Sequence, residues 1–317
     1  MNVLVTGGAG FIGLNFVHYL LEHTSYQITV IDSLTYASHP QEIQALTSNP
    51  RLRFVKGSIS NKSDLEATMD RKYEAIVHFA AESHVDNSIQ NADDFVQTNI
   101  VGTYQLLQQL KTGVAKRMIH ISTDEVYGTL TPVQQPFTEL SPLSPNNPYS
   151  ATKASSDLLV RAYYETFKLP LMITRCSNNY GPFQNKEKFI PTIVLKALQD
   201  QQIPIYGDGQ QIRDWLYVQD HCKAISLILE SGTPGEVYNI GGGNEKKNID
   251  VVKRILEIMG KSDKLIEFVE DRKGHDRRYA IDSSKLQSEL GWKQSSTFDQ
   301  SLLNTVQWHI NNFGASI

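Results

Sequence analysis

Three observations predict an α/β fold with a doubly wound parallel sheet and a smaller C-terminal α/β lobe. Short β-branched runs alternate with amphipathic segments, the runs are apolar along their whole length, and a glycine-rich turn joins the first run to the first amphipathic segment. A strand with no polar face must be covered on both sides, and helices that connect parallel strands do this. The first strand is NVLVT (2–6), followed after the glycines by FIGLNFVHYLLEH at helical spacing. ITVID (28–32) and LRFVKG (52–57) are the second and third strands, and Asn61 or Ser63 can cap the helix that follows. AIVHFA (75–80) is the fourth strand. A long helix near 92–111 then places Phe95, Val96, Asn99, Ile100, Thr103, Leu106, Leu107 and Leu110 on related faces. RMIHIS (117–122) is the fifth strand, and a helix near 149–168 precedes LMITRCS (171–177).

Beyond residue 178 the pattern loosens. Loops rich in Gly, Asn, Pro and charge separate short strands such as IPIY (203–206) and EVYNIG (236–241), with helices near 188–200, 219–230, 249–259 and 298–313. The expected division is a sheet domain over 1–177 and a second lobe over 178–317. The strands near 171–177 and 236–241 are available to complete the main sheet.

Composition narrows the function. The chain has 317 residues with 30 basic and 34 acidic side chains, a net charge of −4, which weighs against a nucleic-acid binder held by phosphate contacts. Its two cysteines, Cys176 and Cys222, have neither metal-ligand spacing nor a disulfide framework. None of the nine histidines falls in a metal-ligand pattern, so no metal is expected, and His84 and His275 read as polar site residues. MNVLVTGGAG enters a fold element directly with no secretory leader, and no segment approaches the roughly 18 apolar residues of a membrane span. A cytoplasmic protein with no membrane or nucleic-acid partner is expected.

The segment GGAGFIG (7–13) follows a strand and opens a helix. Gly7 permits the tight turn, Gly10 lets a pyrophosphate approach the backbone, and Gly13 lets helix and strand pack closely. The helix N-terminus offers unpaired N–H groups and the positive end of its dipole to phosphates. Asp32 closes the second strand 19 residues after Gly13, where its carboxylate suits ribose hydroxyls and repels a 2′-phosphate. NAD is therefore expected rather than NADP. Small Ala80 and Ala81 in FAAESH (79–84) let a cofactor lie against the backbone.

Tyr149 and Lys153 stand four residues apart on a predicted helix and so share a face. An ammonium and a nicotinamide cation both favour phenolate, which suits Tyr149 to act as a base. Lys153 also reaches the nicotinamide ribose. In STDEVYG (122–128), at the end of the fifth strand, Thr123 supplies a hydroxyl that can orient the reacting oxygen of a substrate. Asp124 and Glu125 beside it can move two further protons where the strand turns into a loop. Two close carboxylates do not readily share one charge state, so Asp124 is expected protonated and Glu125 ionised.

The glycine spacing and FAAESH resemble the extended short-chain dehydrogenases/reductases, a Rossmann-type family. Over nearly its full length the chain resembles the dTDP-glucose 4,6-dehydratases within that family. The carrying segments are GGAGFIG, AESHVD (81–86), STDEVYG, NPYSATKASSDLLVRAYYETF (147–167), TRCSNNYGPFQ (174–184), IPIYGDGQQIRDWLYVQDH (203–221) and GHDRRYAID (274–282). The resemblance implies conversion of dTDP-glucose to dTDP-4-keto-6-deoxy-glucose and water through bound NAD, with Thr123, Asp124, Glu125, Tyr149 and Lys153 as catalytic residues. It implies cofactor contacts from Gly7, Gly10, Phe11, Ile12, Gly13, Asp32, Ser33, Leu34, Thr35, Ser58, Ile59, Phe79, Ala80, Ala81, Ser83, Thr98, Tyr149, Lys153 and Asn179. Beyond the catalytic set, it implies substrate contacts from Ser83, Asn178, Lys188, Phe189, Pro204, Ile205, Tyr206, Arg213, Asn248, Asp271, Arg272 and His275. Arg213 is the residue whose planar fork suits a pyrophosphate. The resemblance also implies a homodimer formed by the helices near 92–111 and 149–168, and a place in deoxysugar synthesis, for example of rhamnose.

The chain departs from that pattern at Ser58 and Lys273, where Asp and Pro are usual, and at Asn87 and Gly243, where Arg and His are usual. A sugar-nucleotide 4-epimerase, a dehydratase for another nucleotide and a catalytically inactive NAD-binding protein remain as alternatives. The adjacent acids argue against the first, and the intact Thr123, Tyr149 and Lys153 argue against the last.

Overall fold

The computed structural model describes residues 1–271 and 276–314. The strands of the first half are β1 (Asn2–Thr6), β2 (Gln27–Asp32), β3 (Leu52–Lys56), β4 (Ala75–His78), β5 (Met118–Thr123) and β6 (Leu171–Cys176). After them come β7 (Asn178–Tyr180), β8 (Ile203–Tyr206), β9 (Ile212–Tyr217), β10 (Val237–Ile240), β11 (Glu245–Lys247) and β12 (Ile266–Val269). Seven strands form one parallel sheet in the order β10-β6-β5-β4-β1-β2-β3. The winding direction reverses between β1 and β4, the crevice in which a doubly wound sheet binds ligands.

The apolar character of the strands follows from this placement. Val3 and Val5 of β1 enter one core with Leu14, Phe16 and Leu20 of the Phe11–His23 helix, while Leu4 enters the opposite core with Leu106, Leu107 and Val160. Alternate residues thus serve cores on opposite faces. β10 docks on β6 after a long excursion through the second lobe, with Ile173 N–H bonded to Glu236 O and Ser177 N–H to Ile240 O, both at 3.1 Å. The second lobe contains the small sheet β11-β9-β7 and the pair β12-β8, packed around Ile193, Val194, Trp215, Val252, Ile255, Leu302 and Val306.

Helix ends follow local chemistry. Asn61 accepts from the N–H groups of Ser63 at 2.9 Å and Asp64 at 3.4 Å. The Pro148–Phe167 helix starts with a reciprocal box, in which Asn147 Oδ1 accepts from Ser150 N–H at 2.9 Å and Ser150 Oγ accepts from Asn147 N–H at 3.3 Å.

The helix expected near 92–111 is not regular. It runs as α over Asp93–Phe95, widens to π over Val96–Gly102 and returns to α over Thr103–Lys111. The widened turn carries Asn99 inward, where it accepts from Glu82 N–H at 2.9 Å and donates to Glu82 O at 3.1 Å and Thr152 Oγ1 at 2.9 Å. One buried amide thereby ties the loop after β4 to the Tyr149 helix. π turns recur at functional sites, and this one carries Thr98 to the crevice. Among the described residues no helix is long and apolar enough to cross a membrane.

Candidate active site

The crevice at the switch point is a cavity whose floor is the glycine turn. Gly7 has φ +70°, and a Cβ there would stand 2.6 Å from the Ala80 backbone. A Cβ on Gly13 would meet Gly7 O at 2.2 Å. Both are needed by the protein itself. Gly10 differs: its only near contact would be Gly7 O at 3.4 Å, and the space beyond belongs to the cavity. The fold itself would accept a Cβ at Gly10. Asp32 is buried at the end of β2 and accepts from Ala9 N–H at 2.9 Å and Leu34 N–H at 2.8 Å. Burial raises its pKa, and the two amides oppose that.

Consequently Gly10→Ala should fold with nearly wild-type thermal stability and lose dinucleotide binding. Gly13→Ala should lose about 1–3 kcal/mol by overpacking. Unfolding curves and dinucleotide titration of the two variants separate the effects.

At the other end of the cavity β5 delivers Thr123, and a single 3-10 turn, Asp124–Tyr127, follows. Neighbouring side chains that point to opposite faces of a strand are less divergent in such a turn, with about three residues per turn. Asp124 and Glu125 line the cavity, along with Thr123, Tyr149 and Lys153. Asp124 is 2% exposed; its Oδ1 accepts from Thr123 Oγ1 at 3.3 Å, while Oδ2 is buried without a partner. Glu125 accepts from Asn147 Nδ2 at 3.3 Å. Thr123 favours ionisation of the Tyr149 phenol, and Lys153 Nζ donates to Ile121 O at 2.7 Å.

The electrostatics separate these groups. Burial, then Glu125, then Asp214 hold the Asp124 carboxyl well above the usual carboxylate range, which favours its acid form. Burial and then Glu125 push the Tyr149 phenol well above 10, although Lys153 stands on the same helix face. Proximity to an ammonium does not by itself make this tyrosine a phenolate. Burial also brings Lys153 down to about 8.

A raised folded-state pKa at Asp124 means that the folded protein binds more protons than the unfolded chain above pH 3.8. Its contribution to stability therefore falls as pH rises from about 4 to neutrality. Asp124→Asn does not titrate, so it should gain stability relative to wild type as pH rises over that range, which urea denaturation at a series of pH values checks.

Most expected ligand contacts line this one cavity: Gly7, Gly10, Phe11, Ile12, Gly13, Asp32, Ser33, Thr35, Ser58, Ile59, Phe79, Ala80, Ala81, Ser83, Thr98, Asn178, Asn179 and Lys188. Leu34 does not. It packs against the main core with φ 58° and offers its N–H to Asp32. Asn178 Oδ1 is buried without a partner in the cavity wall. Lys188 Nζ donates to Ser83 O at 3.2 Å across the mouth.

The remaining substrate candidates lie in the second lobe, away from the cavity lining. Phe189 stacks on Trp215, Ile205 is a core residue, and Pro204 and Tyr206 belong to the β8–β12 pair. Asn248 opens the helix Asn248–Met259, and Asp271 accepts from Gln211 Nε2 at 3.1 Å. Arg213 donates to Ile212 O and Asp276 O, each at 2.9 Å, lies over the Tyr279 ring and lowers the pKa of Asp124. Arg272, Lys273 and His275 fall outside the described residues. Among those described, no cluster of His, Cys, Asp and Glu could hold a metal ion.

The sequence reading did not single out Asp214. It is 1% exposed on β9, accepts from Gly242 N–H at 2.8 Å and Asn244 N–H at 2.7 Å, and acts on Asp124. Nothing local in RDWLYV marks it, because its partners come from the turn after β10.

Residues 4–305 match the GDP-mannose 4,6 dehydratase family. The dTDP-glucose 4,6-dehydratase of Haemophilus influenzae is 47% identical over 337 residues, covering 100% of both chains. The low-salt glycan biosynthesis protein Agl12 of Haloferax volcanii is 48% identical, covering 98% of this chain and 99% of that one. The crystal structure of the dTDP-glucose 4,6-dehydratase DesIV from Streptomyces venezuelae with NAD bound superposes with a TM-score of 0.95 at 46% identity, covering 99% of this chain and 98% of the other.

Proposed function

Because the chain belongs to the GDP-mannose 4,6 dehydratase family, and within it to the dTDP-glucose 4,6-dehydratases, we propose that it converts dTDP-glucose to dTDP-4-keto-6-deoxy-glucose and water. It is an NAD-dependent hydro-lyase. The observation that carries this reading is the convergence of a buried acid with a raised pKa, Asp124, with Glu125 and Tyr149 on one cavity. The residues fit the dinucleotide: Gly10 leaves the space that a Cβ would fill, and Asp32 stands at the ribose end. When bound, NAD accepts a hydride from the sugar and later returns it, so it is not consumed.

The protein's groups divide the proton work. Thr123 orients the 4-hydroxyl and Tyr149 takes its proton as carbon 4 becomes a ketone. That ketone acidifies the carbon 5 hydrogen, which Glu125 removes. Asp124 gives its proton to the departing 6-hydroxyl, and water leaves. Glu125 then returns a proton to carbon 5 as carbon 6 is reduced, and exchange with solvent moves the proton gained by Tyr149 back to Asp124, so that every group regains its starting state. Residues 1–177 serve the cofactor and residues 178–317 mainly the nucleotide sugar, with Arg213, Asn248 and Asp271 as substrate contacts. The enzyme works in the cytoplasm, where nucleotide sugars and NAD are made. It acts as a homodimer, for which the exposed Val96, Tyr104, Leu158 and Phe167 of the paired helices provide an apolar face. Its product feeds deoxysugar synthesis.

Incubation with dTDP-glucose in deuterated water tests the reaction. The expected product has lost one water and carries one solvent deuterium at carbon 5. An isomer of unchanged composition would instead mark a 4-epimerase, and no turnover would mark an inactive binding protein.

A further inference from the structure

The Tyr149 helix carries a second buried ionisable group that the mechanism above leaves idle. Asp157 lies one turn beyond Lys153, on the same face, and the two are 1% and 3% exposed. Arg175 Nε on β6 donates to Asp157 Oδ2 at 2.9 Å, and His120 Nε2 on β5 lies 3.4 Å from Oδ1. The arginine is fixed from its other side. Its Nη1 donates to the Tyr127 hydroxyl at 2.9 Å, and that hydroxyl donates to Asn239 Oδ1 on β10 at 2.8 Å. The contacts run from Asn239 on β10 through Tyr127 and Arg175 to Asp157, and Lys153 stands one helical turn before that carboxylate.

Resting on the oxidation step proposed above, we propose that Asp157 is a positioning residue that keeps Lys153 in its ammonium form, with Arg175 as the counterweight that limits this effect. Lys153 needs such help because burial has brought it down to about 8, close to a working pH. Of the charges that favour the ammonium, Asp157 comes first.

The other groups around the lysine do not supply an anion at neutral pH. Burial pushes the Cys176 thiol of β6 up to about 12 and raises the Asp124 carboxyl well above its usual range, against its charged form. Burial also brings His120 down to about 4 and puts His78 of β4 well below its usual range, so neither imidazole is charged. Tyr149 keeps its proton, and Glu125 faces Tyr149 and Asp124. Arg175 is a cation that works against the ammonium unless Asp157 neutralises it. Against the burial that would raise it, His120 and Arg175 hold the Asp157 carboxyl below its usual range, so it is charged throughout the neutral region.

The test reads Lys153 directly. Enzyme labelled with 13C at the lysine ε-carbon is titrated from pH 6 to 10, and the resonance missing from Lys153→Met is followed. The wild-type midpoint is expected near 8. Asp157→Asn should lower it by about one unit or more, Arg175→Gln should raise it, and the double variant should fall between the two. The alkaline limit of sugar oxidation should move in step. That limit is read as the pre-steady-state rise at 340 nm with dTDP-6-deoxyglucose, which lacks the 6-hydroxyl that leaves.

A lower rate with an unmoved lysine midpoint would assign Asp157 a purely structural role and overturn the inference. So would a shift of both single variants in the same direction. If Asp157→Asn does not fold, the direction of the Arg175→Gln shift decides. A wild type that gives no 340 nm signal sinks the oxidation reading itself, whatever the resonances do.

Discussion

Glu125→Gln is expected to lower turnover of dTDP-glucose by about 10³-fold while leaving sugar oxidation in place. The argument rests on position. Glu125 lines the cavity beside Asp124 and is held by Asn147 Nδ2 from the start of the Tyr149 helix. Glutamine keeps the size and an oxygen for Asn147 but cannot take the carbon 5 proton. The variant should therefore give a 340 nm signal on mixing with substrate and then stall. Little product should form, and deuterium should enter carbon 5 at a correspondingly reduced rate. Water loss and labelling at the wild-type rate would place the carbon base elsewhere.

Tyr149→Phe is expected to fail one step earlier. Turnover should fall by about 10³–10⁴-fold with no 340 nm signal, while dinucleotide affinity changes only a few-fold. The ring keeps its edge contact with Phe95 at 6.4 Å, so the scaffold loses only the hydroxyl. Burial and Glu125 push that hydroxyl well above 10, and the positive charge of a bound cofactor must offset both before Tyr149 can act. The rate of sugar oxidation should thus rise with pH until Lys153 begins to lose its own proton. Stopped-flow absorbance over pH 6–9 with wild type and both variants distinguishes the two failures, since only Glu125→Gln should reduce the cofactor.

The sequence made the main sheet legible because its signals are local. Val3, Leu4 and Val5 are apolar for two different cores, and Gly7, Gly10 and Gly13 mark one turn. The close pairs Asp124–Glu125 and Tyr149–Lys153 were legible for the same reason. Features that depend on distant partners were not. The π stretch over Val96–Gly102 is set by Asn99 reaching Glu82 and Thr152, so a periodic pattern reads as an unbroken helix. Asp214 takes its role from the amides of Gly242 and Asn244, and Leu34 turns to the core although its neighbours face the crevice. The pKa of Tyr149 followed burial more than the neighbouring lysine, a balance that spacing alone cannot set.

The position of β10 bears on how the polypeptide emerges during synthesis. When the ribosome has completed residue 177, β6 exists but its outer edge has no neighbour, and the strand that covers it lies some sixty residues downstream. An uncovered parallel edge rich in Val, Ile and Leu neighbours is a template for pairing with other chains. The nascent first half therefore stays prone to aggregation until Val237–Ile240 has been made. A fragment ending at Ser177 is a poor choice for separate expression, and it also lacks the Asn178, Asn179 and Lys188 wall of the crevice.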